Sequence, residues 1–251
     1  MPTSPAPFKD HFSCHAPAYA TGRPDYPPTL FDWLARQAPW HDLALDVGCG
    51  SGQCAYALTR LFEAVHATDA SAAQIAAARP HPRLRYRVEA AEHIAEKDRS
   101  IALLTVAQAI HWFDFEPFFS EVRRVLQGDG VFAAIGYGLL RCSPEIDTLI
   151  NTFEQQTVGS FWPPERRHID DGYQSIPFPF ERILAPEFEM EKHWTLAELL
   201  AYLRTWSATQ RCRQATGRDP LSGLEPSLQE AWGDPTQARS LRWPLLLWVG
   251  R

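Results

Sequence analysis

The chain lacks any stretch approaching the roughly 18 apolar residues that a membrane-spanning helix needs. Its opening residues, Met1-Pro2-Thr3-Ser4-Pro5-Ala6-Pro7, lack the basic start and apolar run of a secretory signal. Neither a membrane partner nor export is expected. Basic charge is also short: 24 Lys and Arg against 30 Asp and Glu leave a formal net charge of −6, which disfavours a general nucleic-acid binder. The cysteines (Cys14, Cys49, Cys54, Cys142, Cys212) are odd in number and form no Cys-x-x-Cys pair. That argues against a disulfide framework or a zinc site and suits reduced thiols in a cytoplasmic protein. No metal ligand set is expected, and there is no internal repeat or low-complexity segment. A length of 251 residues fits one medium domain with a cap better than two full domains.

Strand and helix signals alternate along much of what is present. Residues 1–27 are rich in proline and aromatics and read as an arm. Pro27-Pro28 opens a helix to about Gln37, with Leu30, Phe31 and Leu34 at helical spacing. Strands are predicted at Leu43–Val47, Ala64–Thr68, Leu84–Val88, Ile101–Ala107 and Val131–Tyr137. Helices are predicted at Gly52–Phe62, from a Ser71/Gln74 capping box to near Pro80, and from an Asp114 cap to a stop at Gly128. The run Ile101–Ala107 is continuously apolar, as in a central parallel strand covered on both faces. The alternation implies right-handed βαβ units and an α/β, doubly wound, mostly parallel sheet. After Gly138 the regularity ends. A helix over Pro144–Val158 precedes a proline- and aromatic-rich stretch, further helices follow Thr195 and Ser222, and the tail Leu241–Val249 is broken by Pro244. A proline there points to a first or edge position in a strand. The aromatics of 153–206 are numerous enough to build a cap with its own small core.

The densest chemistry follows the first strand. Asp46 closes it, and Gly48, Gly50 and Gly52 alternate through Gly48-Cys49-Gly50-Ser51-Gly52-Gln53, so main-chain N–H groups can approach a ligand that a β-carbon would hold away. A dinucleotide fingerprint would place its third glycine one residue later, where Gln53 stands; a nicotinamide oxidoreductase therefore fails on spacing. Asp69 ends the second strand, where a carboxylate can accept both hydroxyls of a ribose or simply cap the next helix. Cys49 and Cys54 read as small residues packed beside a tight turn.

These residues resemble the first two motifs of class I S-adenosylmethionine-dependent methyltransferases. Val88-Glu89-Ala90-Ala91-Glu92 is similar to the segment that meets the adenine. Gln108-Ala109-Ile110-His111-Trp112-Phe113-Asp114 is similar to the post-strand motif facing donor and acceptor, and Leu126 before Gly128-Asp129-Gly130 resembles the turn that follows. The matching motifs span about residues 40–138. A narrower resemblance, to small-molecule enzymes similar to trans-aconitate methyltransferase, rests on Phe12, Tyr19, Arg23, Pro24, Tyr26 and Pro27, on Pro164-Glu165-Arg166-Arg167, and on the tail from Trp194 to Trp243-Pro244.

The resemblance implies a Rossmann-like fold with a seven-stranded sheet. Residues 1–38 would form an arm and helix, 39–138 the donor-binding core, 139–206 a cap, and 207–251 a C-terminal helix and final strand. It implies S-adenosyl-L-methionine as methyl donor and S-adenosyl-L-homocysteine as product, with Tyr19, Arg23, Asp46, Gly48, Gly50, Asp69, Ala70, Ala91, Glu92 and Gln108 around the donor. Arg23 could equally be a solvated charge. His111, Trp112 and Trp162 would border a small-molecule acceptor methylated at a carboxylate or hydroxyl oxygen. His111 is a candidate general base with a pKa near working pH, a positioning group, or packing beside Trp112. Arg166, Arg167 and His168 could anchor an acidic acceptor or form a solvated loop. A protein or RNA methyltransferase, or a donor-binding protein without turnover, remain alternatives.

Overall fold

The computed structural model describes residues 24–251. Helix α1 (Pro28–Gln37) starts on a proline, whose fixed φ suits the first turn, and buries Leu30, Phe31 and Leu34. Then come β1 (Leu43–Val47), α2 (Gln53–Leu58), β2 (Ala64–Asp69), α3 (Ala72–Ala76), β3 (Leu84–Val88), β4 (Ile101–Ala107), α4 (Phe115–Val125) and β5 (Leu126–Tyr137). The C-terminal part adds α5 (Pro144–Thr152), α6 (Arg167–Asp170), β6 (Arg182–Ile183), β7 (Glu189–Trp194), α7 (Leu196–Arg204), α8 (Ser207–Thr216), α9 (Glu225–Trp232) and β8 (Arg239–Gly250).

The sheet runs β3-β2-β1-β4-β5-β8-β6, with β7 paired to β8 off this path. It therefore has eight strands where seven were expected. The first five are mutually parallel, and β8 is antiparallel to its neighbours. Strand order reverses between β1 and β4, which opens a crevice at their carboxyl ends, the usual ligand site of such sheets. Alternate residues feed opposite faces. Ala44 and Leu103 join the helices α1 and α2, with Phe31, Leu34, Ala55 and Leu58. Leu45 and Leu104 join α4, with Phe118, Phe119 and Val122.

A third core lies past β5, built from Ile146, Phe153, Met190, Leu199, Leu203, Trp206, Trp232, Leu241 and Trp243. It draws on more chain than the predicted 153–206. Tyr173, Phe178 and Phe180 leave it and pack on the β4–β5 face of the sheet. Gly136 makes room for Tyr173, since a β-carbon there would sit 2.3 Å from its hydroxyl, and Gly250 does the same for Phe178 and Phe180.

Several boundaries differ from expectation for physical reasons. Gly128–Gly130 is no turn but an irregularity inside β5, where Ile101 pairs with Leu126 and Leu103 already pairs with Val131. Asp114 makes no side-chain cap; its own N–H donates instead to Glu92 Oε1 at 3.0 Å. The helix predicted over Pro144–Val158 is α5 continued by a π-turn, Phe153–Thr157. Pro244 lies inside a long strand and marks its change of partner. Residues 239–244 pair with β7, and 245–250 pair with β5. The residue without an N–H falls at the changeover, where one ladder ends and the next begins.

Candidate functional site

The turn after β1 bends through three positive-φ glycines: Gly48 at 67°, Gly50 at 55° and Gly52 at 83°. Two are glycines because the protein itself fills the space. A β-carbon on Gly48 would lie 2.6 Å from Ala109 Cβ, and one on Gly52 would lie 2.1 Å from the Tyr86 hydroxyl. Over Gly50 the nearest atom is Gln74 Oε1 at 3.9 Å, so this is the glycine that leaves its backbone approachable. Its N–H donates to Asp69 Oδ2 at 2.8 Å. The other Asp69 oxygen takes the Ser71 N–H at 2.8 Å, while Ser71 itself caps α3 through Gln74. Asp69 is thus fixed by two backbone donors at the end of β2.

Asp46 does not face the crevice. It is wholly buried beneath the turn, accepting from Ala55 N–H at 3.1 Å and Thr105 Oγ1–H at 2.8 Å, where it ties α2 to β1 and β4. Burial pushes its carboxyl up to about 7, against the pull of the Thr105, Cys54 and Ala55 bonds. Cys49 and Cys54 flank it with thiols driven upward by burial and by the nearby carboxylates. They are packing, as the sequence suggested, and have no thiolate character for chemistry.

After β4 the backbone turns sharply. Gln108 is one of few non-glycine residues with positive φ, at 54°, and its Nε2 donates to Tyr137 O at 2.8 Å. That leaves its Oε1 buried and without a donor. Such strain and such an orphan commonly mark a ligand site; residue type alone gave no sign of either. Ala91 sits in the core below the crevice, Ala70 is half-buried beside Asp69, and Glu92 holds the loop before α4. Tyr19 and Arg23 lie outside the described residues. The chain just after them is anchored here, because Gln53 Nε2 donates to Pro24 O at 3.1 Å and Asp25 Oδ1 at 2.9 Å.

His111 occupies a single helical turn, Ile110–Trp112, that packs against the turn Pro164–Arg166. Burial drives its imidazole down to about 3, helped by the charge of Arg166 and by His168. The expectation of a pKa near working pH is therefore not met: His111 is neutral there, and its Nδ1 is buried without a partner. Its ring lies 4.8 Å from that of Trp112. Trp162, at the edge of the cap core, also has a buried, unpartnered Nε1–H, and its ring face carries the Arg166 guanidinium at 4.2 Å. Arg166 is no solvated loop residue. Its side chain is 14% exposed, bonded to Asp170 at 2.8 Å and 3.5 Å from Glu154. Arg167 is exposed, and His168 turns away to Ser175 Oγ.

Residues 45–134 match the family described as a methyltransferase domain. A Dictyostelium discoideum protein named as a methyltransferase is 32% identical over 238 residues, covering 92% of this chain and 90% of that one. The chain belongs to the class I S-adenosylmethionine-dependent methyltransferases. The methyltransferase is also similar to a solved structure described as a type II methyltransferase from Anaeromyxobacter dehalogenans. The identity is 44% and the TM-score 0.86, over 91% of this chain and 97% of that one. A Saccharomyces cerevisiae relative named as an S-adenosylmethionine-dependent methyltransferase is 28% identical over 142 residues, covering 53% of the methyltransferase and 48% of that protein. The cofactor is S-adenosylmethionine, and the cradle fits it: Gly50 is open, and a carboxylate, the acceptor type a ribose diol needs, is fixed beside it at Asp69. No helix among the described residues is long and apolar enough to cross a membrane.

Proposed function

We propose that this methyltransferase acts on a small molecule, at a carboxylate or hydroxyl oxygen, between His111, Trp112 and Trp162. The observation that carries the reading is two buried, unpartnered polar atoms: His111 Nδ1, on the loop that follows β4, and Trp162 Nε1, whose ring holds Arg166 of the turn packed against that loop. An unmade buried hydrogen bond costs about 1–3 kcal/mol, so both atoms are better satisfied by a substrate than left alone.

S-adenosylmethionine supplies an electrophilic methyl group when bound. In this reading Asp69 accepts the ribose hydroxyls, Gly50 gives the backbone close approach, Glu92 and Ala91 lie on the adenine side, and the Gln108 turn faces the amino-acid end. Arg23 and Tyr19 would meet the donor carboxylate, from a chain rooted at Gln53. The rest is alignment and exclusion of water, which in a well-oriented site is worth several orders of magnitude in rate. A neutral imidazole held near 3 is a weak base, so His111 positions the acceptor instead of deprotonating it. An oxygen that arrives ionised needs no base, and this favours a carboxylate over an alcohol.

The test is a screen with labelled methyl donor against small carboxylates matched with their alcohols, phenols and amines. Labelling of carboxylates or hydroxyl compounds is expected. Labelling confined to amines, protein or RNA overturns the reading, as does donor binding with no turnover on any acceptor. Trp162→Phe should raise the acceptor KM about tenfold, the loss of one hydrogen bond, with donor affinity unchanged.

A further inference from the structure

At the opposite end of the sheet from the methyl-transfer crevice lies a recess of about 540 Å³, within the usual size range of small-molecule sites. It forms where the loop before β4, the end of α4 and the irregular start of β5 meet the chain ahead of β6. Four arginines line it, Arg99, Arg123, Arg124 and Arg251, and Asp98 is the one acidic side chain among the lining residues. That carboxylate is already spent. Arg124 donates to Asp98 Oδ1 at 2.7 Å and to Glu121 Oε2 at 2.7 Å, and also to the carbonyls of Ile94 and Glu96. Arg251 donates to Gln37 O at 2.9 Å. Arg99 and Arg123 have no ion pair or side-chain hydrogen bond among the described residues, and both are exposed.

In a chain of net charge −6, two uncompensated guanidinium groups on one recess stand out. Arg123 stands on the last turn of α4, and the backbone is specially arranged at Arg99. Arg99 adopts φ +52°, a conformation that L-residues other than Asn, Asp and Gly seldom take, and its N–H is fixed by Arg124 O at 2.9 Å. A β-carbon on Gly128 would come within 3.2 Å of Arg99 Nη2, so the glycine keeps the guanidinium's place clear. Leu126, Pro179 and Phe180 give the recess an apolar side.

We propose that this recess binds a small phosphorylated molecule of nucleotide size, its phosphates on Arg99 and Arg123 and its apolar part against Leu126, Pro179 and Phe180. Guanidinium groups match phosphate oxygens in paired hydrogen bonds, and a polyanion neutralises both charges where a monocarboxylate leaves one. The site is distinct from the donor crevice. Helix α4 separates them, with Arg123 and Arg124 at its end and the His111 loop before its start; its 11 residues span about 16 Å.

Calorimetry on the full chain, saturated with S-adenosylhomocysteine to fill the donor crevice, tests this with pyrophosphate and ADP as probes. ADP is expected to bind more tightly than pyrophosphate, and both should weaken severalfold as salt rises from about 50 to 300 mM. The double variant Arg99→Asn, Arg123→Gln should lose at least tenfold in affinity for both. Asn is chosen because it tolerates the left-handed backbone. Arg85→Gln, on β3, removes the same kind of charge elsewhere and should change nothing, and S-adenosylhomocysteine affinity should be equal in all three proteins. The proposal is overturned by no binding near 150 mM salt, by a double variant that binds ADP as the wild type does, by ADP competing with S-adenosylhomocysteine, or by binding of single-stranded RNA in its place.

Discussion

Asp46 and His111 are buried groups whose protonation pulls stability in opposite directions. The Asp46 carboxyl, raised to about 7, holds its proton more tightly folded than unfolded. Its contribution is full below the ordinary carboxylate range and is lost as pH rises through about 7. Asp46→Asn should therefore gain in urea unfolding relative to wild type at pH 8 and lose that advantage at pH 5. His111, lowered to about 3, contributes stability above about 6.5 that is lost as pH falls through about 3. It follows that methyl-transfer rate should show no inflection from this imidazole between pH 6 and 8. A His111→Gln variant that moves a limb of the profile within that range would sink the positioning role. Asp69→Ala should cost about 10- to 100-fold in S-adenosylhomocysteine affinity, the value of about 1.5–3 kcal/mol for bonds to a charged acceptor; calorimetry reads this directly. The place of Asp69 at the end of β2 was legible in the sequence, where it read as a helix cap or a ribose acceptor; in the fold Ser71 makes the contact to Gln74 N–H. Arg166 was not, because the carboxylates and ring that bury it come from Glu154, Asp170 and Trp162, a meeting that only the folded chain produces.

Among the elements, the glycine turn separates two kinds of constraint. Gly52→Ala forces a side chain into Tyr86 as well as a positive φ, and should destabilise by about 2–4 kcal/mol. Gly50→Ala meets only the backbone penalty of about 1–2 kcal/mol, yet should weaken donor binding more than its stability loss explains. Thermal unfolding and calorimetry on the pair tell these apart. Strands β1 and β4 coincide with the apolar runs read in the sequence, since a strand buried on both faces has no competing pattern; β3, Leu84-Arg85-Tyr86-Arg87-Val88, keeps its predicted bounds as an edge strand buried chiefly at Leu84. Helix α8 escaped notice for the converse reason. Ser207–Thr216 buries only Ala208, Thr209 and Cys212, too thin a stripe to register at helical period. The β5 irregularity was hidden by Gly128-Asp129-Gly130, whose composition is that of a turn whether or not the chain reverses.

At the scale of the whole molecule, two cores sandwich the sheet and a third fills the cap, with β8 belonging to all of them. Trp243, fully buried in the cap core, donates its Nε1–H to the Tyr202 hydroxyl at 3.2 Å, whereas Val249 lies against α1 and α2. Trp243→Ala should cost about 3–5 kcal/mol in chemical denaturation. The change of partner at Pro244 also means that the two halves of β8 answer to separate registers. One residue gained or lost within 239–243 would turn that half's side chains over against β7, while 245–250 stay in step with β5. Descent can thus rewrite the cap without unthreading the half of the protein that carries the glycine turn.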